Sequence, residues 1–118
     1  MGAEPVNLSR QLAIFSEHGA PKVVASFNGH DAMVVKGQGL FVWHSCPKTD
    51  DFFLALRSRL RIEMRDENLA LGPGERFVVP RGIERRPVAD QEAELLLIEP
   101  AGTPNTGCPA MAAVKTKI

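Results

Sequence analysis

His44, Cys46, Asp50 and Asp51 fall within a short stretch of the chain and offer an imidazole, a thiol and two carboxylates. Nitrogen, sulfur and oxygen donors in one place suit a divalent cation, Zn or Fe better than Mn. A thiol beside an imidazole also suggests nucleophilic chemistry. That needs a lowered thiol pKa, an orienting third group and an oxyanion hole. Neither a nucleophile elbow nor a helix N-terminus accompanies Cys46, so it is expected to be a small, semi-buried thiol. Asp50 and Asp51 are adjacent, and neighbours on a strand point to opposite faces, so they are not expected to work as an acid–base pair.

A second group, Arg81, Arg85 and Arg86, could hold a phosphate or carboxylate, or form a solvated turn. Trp43 precedes His44 and is a candidate pocket wall. Phe41, Phe53, Phe77 and Met64 are expected to line a core. His18 and His30 fall in a helix-end loop and a hairpin turn and are expected at the surface.

The elements that position these residues are mostly strands. Leu8, Leu12 and Phe15 recur at helical spacing after Asn7 or Ser9, either a fair N-cap, which predicts a helix over 8–17 ended by "HGAP". The period then changes to two. Strands are predicted over Lys22–Phe27, Ala32–Lys36, Leu40–Trp43, Phe52–Leu56, Leu60–Arg65, Leu69–Leu71, Arg76–Val79, Arg85–Val88 and Glu94–Ile98. Asn28-Gly29 is a strong hairpin signal between the first two. Leu60, Ile62 and Met64 alternate with Arg61, Glu63 and Arg65, so that strand buries one face and wets the other. Short strands with turn signals every 8–12 residues and one small helix indicate an all-β barrel or sandwich.

The chain has 118 residues, enough for one domain that buries roughly two-thirds of its unfolded surface. Fourteen basic and fourteen acidic side chains cancel. No global field attracts nucleic acid or an anionic membrane, and neither partner is expected. The two cysteines, Cys46 and Cys108, are too few and too far apart for a disulfide framework. With no long apolar run and no basic-then-apolar leader, a cytoplasmic location is expected.

The residues also resemble the small single-domain cupins, a jelly-roll family. The first metal-binding motif of that family runs Gly, five residues, His-x-His, three or four residues, Glu, six residues, Gly. Here four residues, not five, separate Gly39 from His44, Cys46 stands at the second His, Asp51 at the Glu and Ser58 at the closing Gly. The second motif runs Gly, five residues, Pro-x-Gly, two residues, His. Gly74, Pro80 and Gly82 fit it, and Arg85 stands at the His. The resemblance covers roughly residues 5–107. It implies a double-stranded β-helix over 21–100, with an N-terminal helical arm over 1–20 and an extended tail over 101–118. It also implies a homodimer.

In metal-binding cupins four side chains converge on an ion, and of those positions only His44 is kept. Arg85 is the hardest substitution to reconcile, because a guanidinium keeps its proton and cannot be a ligand. At the ion's place it would repel a divalent cation by several kcal/mol at ~4 Å and an effective dielectric near 20. The expectation is a module without a metal, in which Arg85 pairs with Asp51 or Asp50. Trp43, His44, Cys46, Asp51 and Arg85 would form a pocket for a small molecule, an anion included. The alternative is a metal-dependent enzyme, isomerase-like or dioxygenase-like, with His44, Cys46 and Asp51 holding Zn, Fe, Ni or Mn. A third class is purely structural, the cavity filled by side chains.

Overall fold

The computed structural model describes residues 3–102 and 115–118. It is all-β apart from one short helix, α1 (Leu8–Leu12). Asn7 caps that helix, its side chain accepting from the Arg10 amide at 3.1 Å. The helix is shorter than its periodicity predicts and buries only Leu12. Beyond it the chain is drawn out along the sheet. The Phe15 carbonyl accepts from Lys36 Nζ at 2.6 Å, and the Gly19 amide donates to the Lys36 carbonyl at 2.8 Å. These tertiary bonds replace the last helical turns.

β1 (Lys22–Phe27) and β2 (His30–Leu40) form the expected hairpin. Asn28 and Gly29 both have positive φ, 50° and 74°, the backbone that a two-residue turn with right-handed twist requires. β2 does not stop at Lys36. It runs through Gly37 and Gly39 with a shift of register against its neighbour, and Gly39 takes a φ of 83°. The separate strand predicted over Leu40–Trp43 is therefore the end of β2 followed by irregular chain.

β3 (Asp51–Arg57), β4 (Leu60–Met64), β5 (Asn68–Leu71) and β6 (Arg76–Val79) lie within one or two residues of the sequence reading. The two strands expected at the end are one, β7 (Arg85–Pro100). Its burial phase breaks at Val88 and Ala89, and its register against β2 shifts between Ala89 and Ala93. β7 is the hub of the fold. It pairs antiparallel with β2 along most of its length, with β4 through Arg85–Val88 and with β3 through Glu94–Ile98. β3 pairs in turn with β6, and β4 with β5.

A last short strand, β8 (Thr116–Lys117), lies parallel to β1. The tail is thus part of the sheet at its end, while residues 103–114, with Cys108, lie outside the described residues. The core is a single cluster of inward residues, among them Met33, Phe53, Ile62, Val79, Leu95 and Leu97. Among the described residues no helix is long and apolar enough to cross a membrane.

Candidate functional site

His44 and Arg85 meet through the backbone. Each donates its amide to the other's carbonyl at 3.0 Å, an isolated antiparallel bridge that joins the two motif regions. Residues directly opposite in such a pair project to the same side, so both side chains enter the barrel. Asp51 starts β3 and Cys46 lies in the loop before it, and both are buried. Asp50, one residue earlier, faces solvent and accepts from the Arg81 amide at 2.9 Å.

Arg85 is 0% exposed, among the largest wholly buried side chains of the described residues. Its Nη1 donates to the Ile83 carbonyl at 3.0 Å. Its Nη2 donates to Cys46 Sγ at 3.1 Å and to Asp51 Oδ2. The guanidinium thus holds two of the three side chains that could have ligated an ion. Charge-assisted bonding of this kind is strong where water is excluded.

The donor set does not fit a divalent cation. A permanent cation occupies the space between Cys46 and Asp51, and burial with the nearby Asp51 charge pushes the Cys46 thiol above its usual range. A thiol, not a thiolate, is the form present near neutral pH, and the thiolate is the metal ligand. Among the described residues no three His, Cys, Asp or Glu side chains group as metal ligands.

His44 Nδ1 lies 2.9 Å from the Val42 carbonyl. A carbonyl only accepts, so Nδ1 carries the ring proton and Nε2 keeps a lone pair. Burial lowers the imidazole's pKa, the Arg85 charge adding to it against the Val42 bond and Asp51, so the ring is neutral near pH 7.

A further member of the site is Glu99, buried at 2% exposure at the end of β7. The sequence reading missed it, yet it continues the inward alternation Ala93, Leu95, Leu97 in a strand too apolar to leave a carboxylate unremarked. Glu99 neighbours Asp51 on the cavity wall, and burial followed by that neighbouring acid raises its pKa to about 8. Asp51 Oδ1 is buried without a hydrogen-bond partner. Two neighbouring buried carboxyl groups cannot both ionise, so a proton stays on the pair. On the far side Lys115 Nζ, brought in by the chain before β8, lies 3.3 Å from Glu99 Oε2.

These groups adjoin a cavity of about 320 Å³. Val35, Phe41, Phe53, Leu60, Leu95 and Leu97 supply much of its apolar wall, and His44, Asp51 and Glu99 a polar sector. His18 and Lys36 also belong to the lining. Arg85, Cys46 and Trp43 do not, so three of the five residues expected to form the pocket stand outside its wall. Arg85 and Cys46 lie behind Asp51, bonded to it or to each other. Trp43 is drawn away by two cations, its ring lying 3.8 Å from the Arg65 guanidinium and 5.0 Å from that of Arg86. The three arginines do not converge either, since Arg81 bonds Asp50, Arg86 bonds Glu63 and Arg85 is internal.

No family model matches the chain, and no curated protein matches it. Solved structures do. A cupin-2 domain protein from Shewanella frigidimarina is 37% identical, with a TM-score of 0.80 over 80% of this chain and 93% of that one. A Neisseria meningitidis protein is 27% identical, with a TM-score of 0.75 over 83% of this chain and 100% of its own. A hydroquinone 1,2-dioxygenase from Sphingomonas sp., solved with 4-hydroxybenzoate bound, has a TM-score of 0.69 over 100% of this chain and 86% of that one. It is only 16% identical and shares the fold alone. The β7-centred jelly roll, the paired motif regions that bring His44 to Arg85, and the identity to the Shewanella protein make this chain a member of the cupin-2 group of the cupin superfamily.

Proposed function

We propose that this cupin binds a small, largely apolar and uncharged molecule inside its barrel and does so without a divalent metal. One observation carries the reading. Arg85 occupies a motif position of the metal centre and its guanidinium is bonded to both Asp51 and Cys46. A cavity of about 320 Å³ lies beside it, large enough for a small ligand and apolar over much of its wall. The sequence alone left an anion open, through the arginines. The lining favours a neutral molecule, because Asp51 and Glu99 face the cavity and the charge of Arg85 is already matched. Such a ligand would seat its polar end at His44 and the carboxyl pair and its body against Phe41, Phe53 and Leu97.

Elemental analysis of protein purified without chelator or added metal tests the first half. Less than about a tenth of an ion per chain is expected, and near one per chain overturns the reading in favour of a metal enzyme using His44, Cys46 and Asp51. Thermal melting with small neutral aromatic ketones and alcohols tests the second half, since a ligand of the native state raises the midpoint.

A further inference from the structure

The cavity holds more than a binding surface needs. His44 presents an unprotonated Nε2, because its Nδ1 is fixed on the Val42 carbonyl. Asp51 and Glu99 share the same wall, both nearly shut off from water, and Asp51 Oδ1 is buried there without a partner, so the two carboxyl groups cannot both ionise and a proton stays on the pair. A base and an acid therefore face one largely apolar space from different elements, His44 from the chain after β2, Asp51 from β3 and Glu99 from β7. Each is held in place, His44 by the backbone bridge to Arg85 and Asp51 by the guanidinium itself.

We propose that this site catalyses proton transfer on a small, uncharged carbonyl compound with an acidic C–H beside the carbonyl, using His44 as base and the Asp51–Glu99 pair as acid, with no metal. The proposal rests on the binding reading above. In the forward step the Nε2 lone pair takes the proton from carbon, and the C–H electrons form the enol double bond. The carbonyl π electrons move to oxygen, which takes the proton shared by Asp51 and Glu99. In the return step the imidazolium delivers a proton to carbon while the enol hydroxyl gives its own back to the carboxyl pair. Nothing is oxidised or reduced, and the product is the ketone with its hydrogen exchanged or moved.

The arrangement meets the requirements of general acid–base work. A neutral imidazole is a competent base near pH 7, and a carboxyl group kept protonated by burial is a competent acid. The raised pKa of Glu99 supports the second role. Arg85 balances the one negative charge left on the pair in the resting state, and Lys115 stands behind Glu99 as the second cation when the pair gives up its proton.

The test uses the full chain in D2O with cyclohexanone, acetophenone and 1-phenylpropan-2-one as probes. NMR reads binding by saturation transfer and reaction by loss of the C–H signal next to the carbonyl. At least one probe is expected to bind and to exchange about 100-fold faster than in buffer with an equal concentration of free imidazole. Benzaldehyde, which has no such hydrogen, should slow the exchange by competing for the cavity, a measurement that needs no variant. His44→Gln and Glu99→Gln should each bring exchange close to the buffer rate while saturation transfer persists. Binding without exchange in the wild-type protein overturns the proton-transfer inference and leaves the binding reading standing. Exchange unaffected by benzaldehyde or by His44→Gln places the chemistry elsewhere and also overturns it. Absence of binding by all three ketones and by benzaldehyde overturns both.

Discussion

Arg85 Nη2 donates to Asp51 Oδ2 with both side chains shut off from water, 0% and 4% exposed. A pair this deep is favourable only while both partners are present, because either charge alone keeps its desolvation cost without its attraction. Arg85→Met strands the Asp51 carboxylate beside Glu99, and the expected loss is about 3–5 kcal/mol in unfolding by urea. The double replacement Arg85→Met with Asp51→Leu should recover most of it, since similar volume is filled and no charge is left buried. A single variant as stable as wild type would mean that the guanidinium is not held by Asp51.

Restoring the family's side chains tests whether the backbone still holds an ion-binding geometry. Arg85→His, Cys46→His and Asp51→Glu together remove the resident cation and supply, with His44, four donors at the motif positions. The triple variant is expected to bind about one Zn or Ni per chain by elemental analysis after dialysis. Arg85→His alone should bind far more weakly, since it supplies only His44 and the new imidazole beside a short carboxylate and a thiol. A folded triple variant that takes up no metal would count against the register of the two motif regions.

Ser58 is one of two described residues other than glycine with positive φ, at 63°. It stands at the closing glycine of the first motif and links β3 to β4. A side chain in the left-handed region costs about 1–2 kcal/mol, and glycine gives back about 0.5–1 through the freedom of the unfolded chain. Ser58→Gly is therefore expected to stabilise the protein by about 0.5–1 kcal/mol in the same urea titration. Ser58→Val should destabilise it, because a β-branched residue fits that backbone worst.

The parts of this fold that were legible in the sequence are those whose signal is local. Lys22–Phe27, Arg76–Val79 and the Asn28-Gly29 turn announce themselves through β-branched residues and a dipeptide with the right backbone freedom. The inward phase of Asp51 followed from motif spacing. What stayed hidden is tertiary. β7 reads as two strands because the strand signal lapses between Val88 and Glu94, and the pairing skips the same stretch: β4 pairs up to Val88, β2 leaves off at Ala89 and resumes at Ala93, and β3 starts at Glu94, so the ladders on either side hold the two halves as one strand. The helix after Leu12 lost to bonds from Lys36, a residue more than twenty positions away. Trp43 left the pocket for Arg65 and Arg86, contacts that no spacing rule encodes. Glu99 was readable in principle from its alternation, but Lys115 reaches it from a chain end with no periodicity of its own.

Glu99 gives the molecule a pH dependence whose sign follows from its environment. Its pKa is about 8 in the folded protein and near 4.5 in the unfolded chain, owing to burial and then to Asp51. Between those values the native state holds a proton that the unfolded state has released, so rising pH favours unfolding. The contribution is fully present below about pH 4.5, is lost progressively as pH climbs, and is gone above about 8. His44 acts the other way. Its lowered pKa costs stability as pH falls below its ordinary 6.5. Urea midpoints measured from pH 5 to 9 should therefore decline on the alkaline side in wild type. Glu99→Gln removes the titrating group and offers an amide that can donate to Asp51 Oδ1 at every pH, which should flatten that decline while leaving the acid side governed by His44. An alkaline decline of unchanged size in Glu99→Gln would assign it to another group and would show that the carboxyl pair carries no shared proton near neutrality.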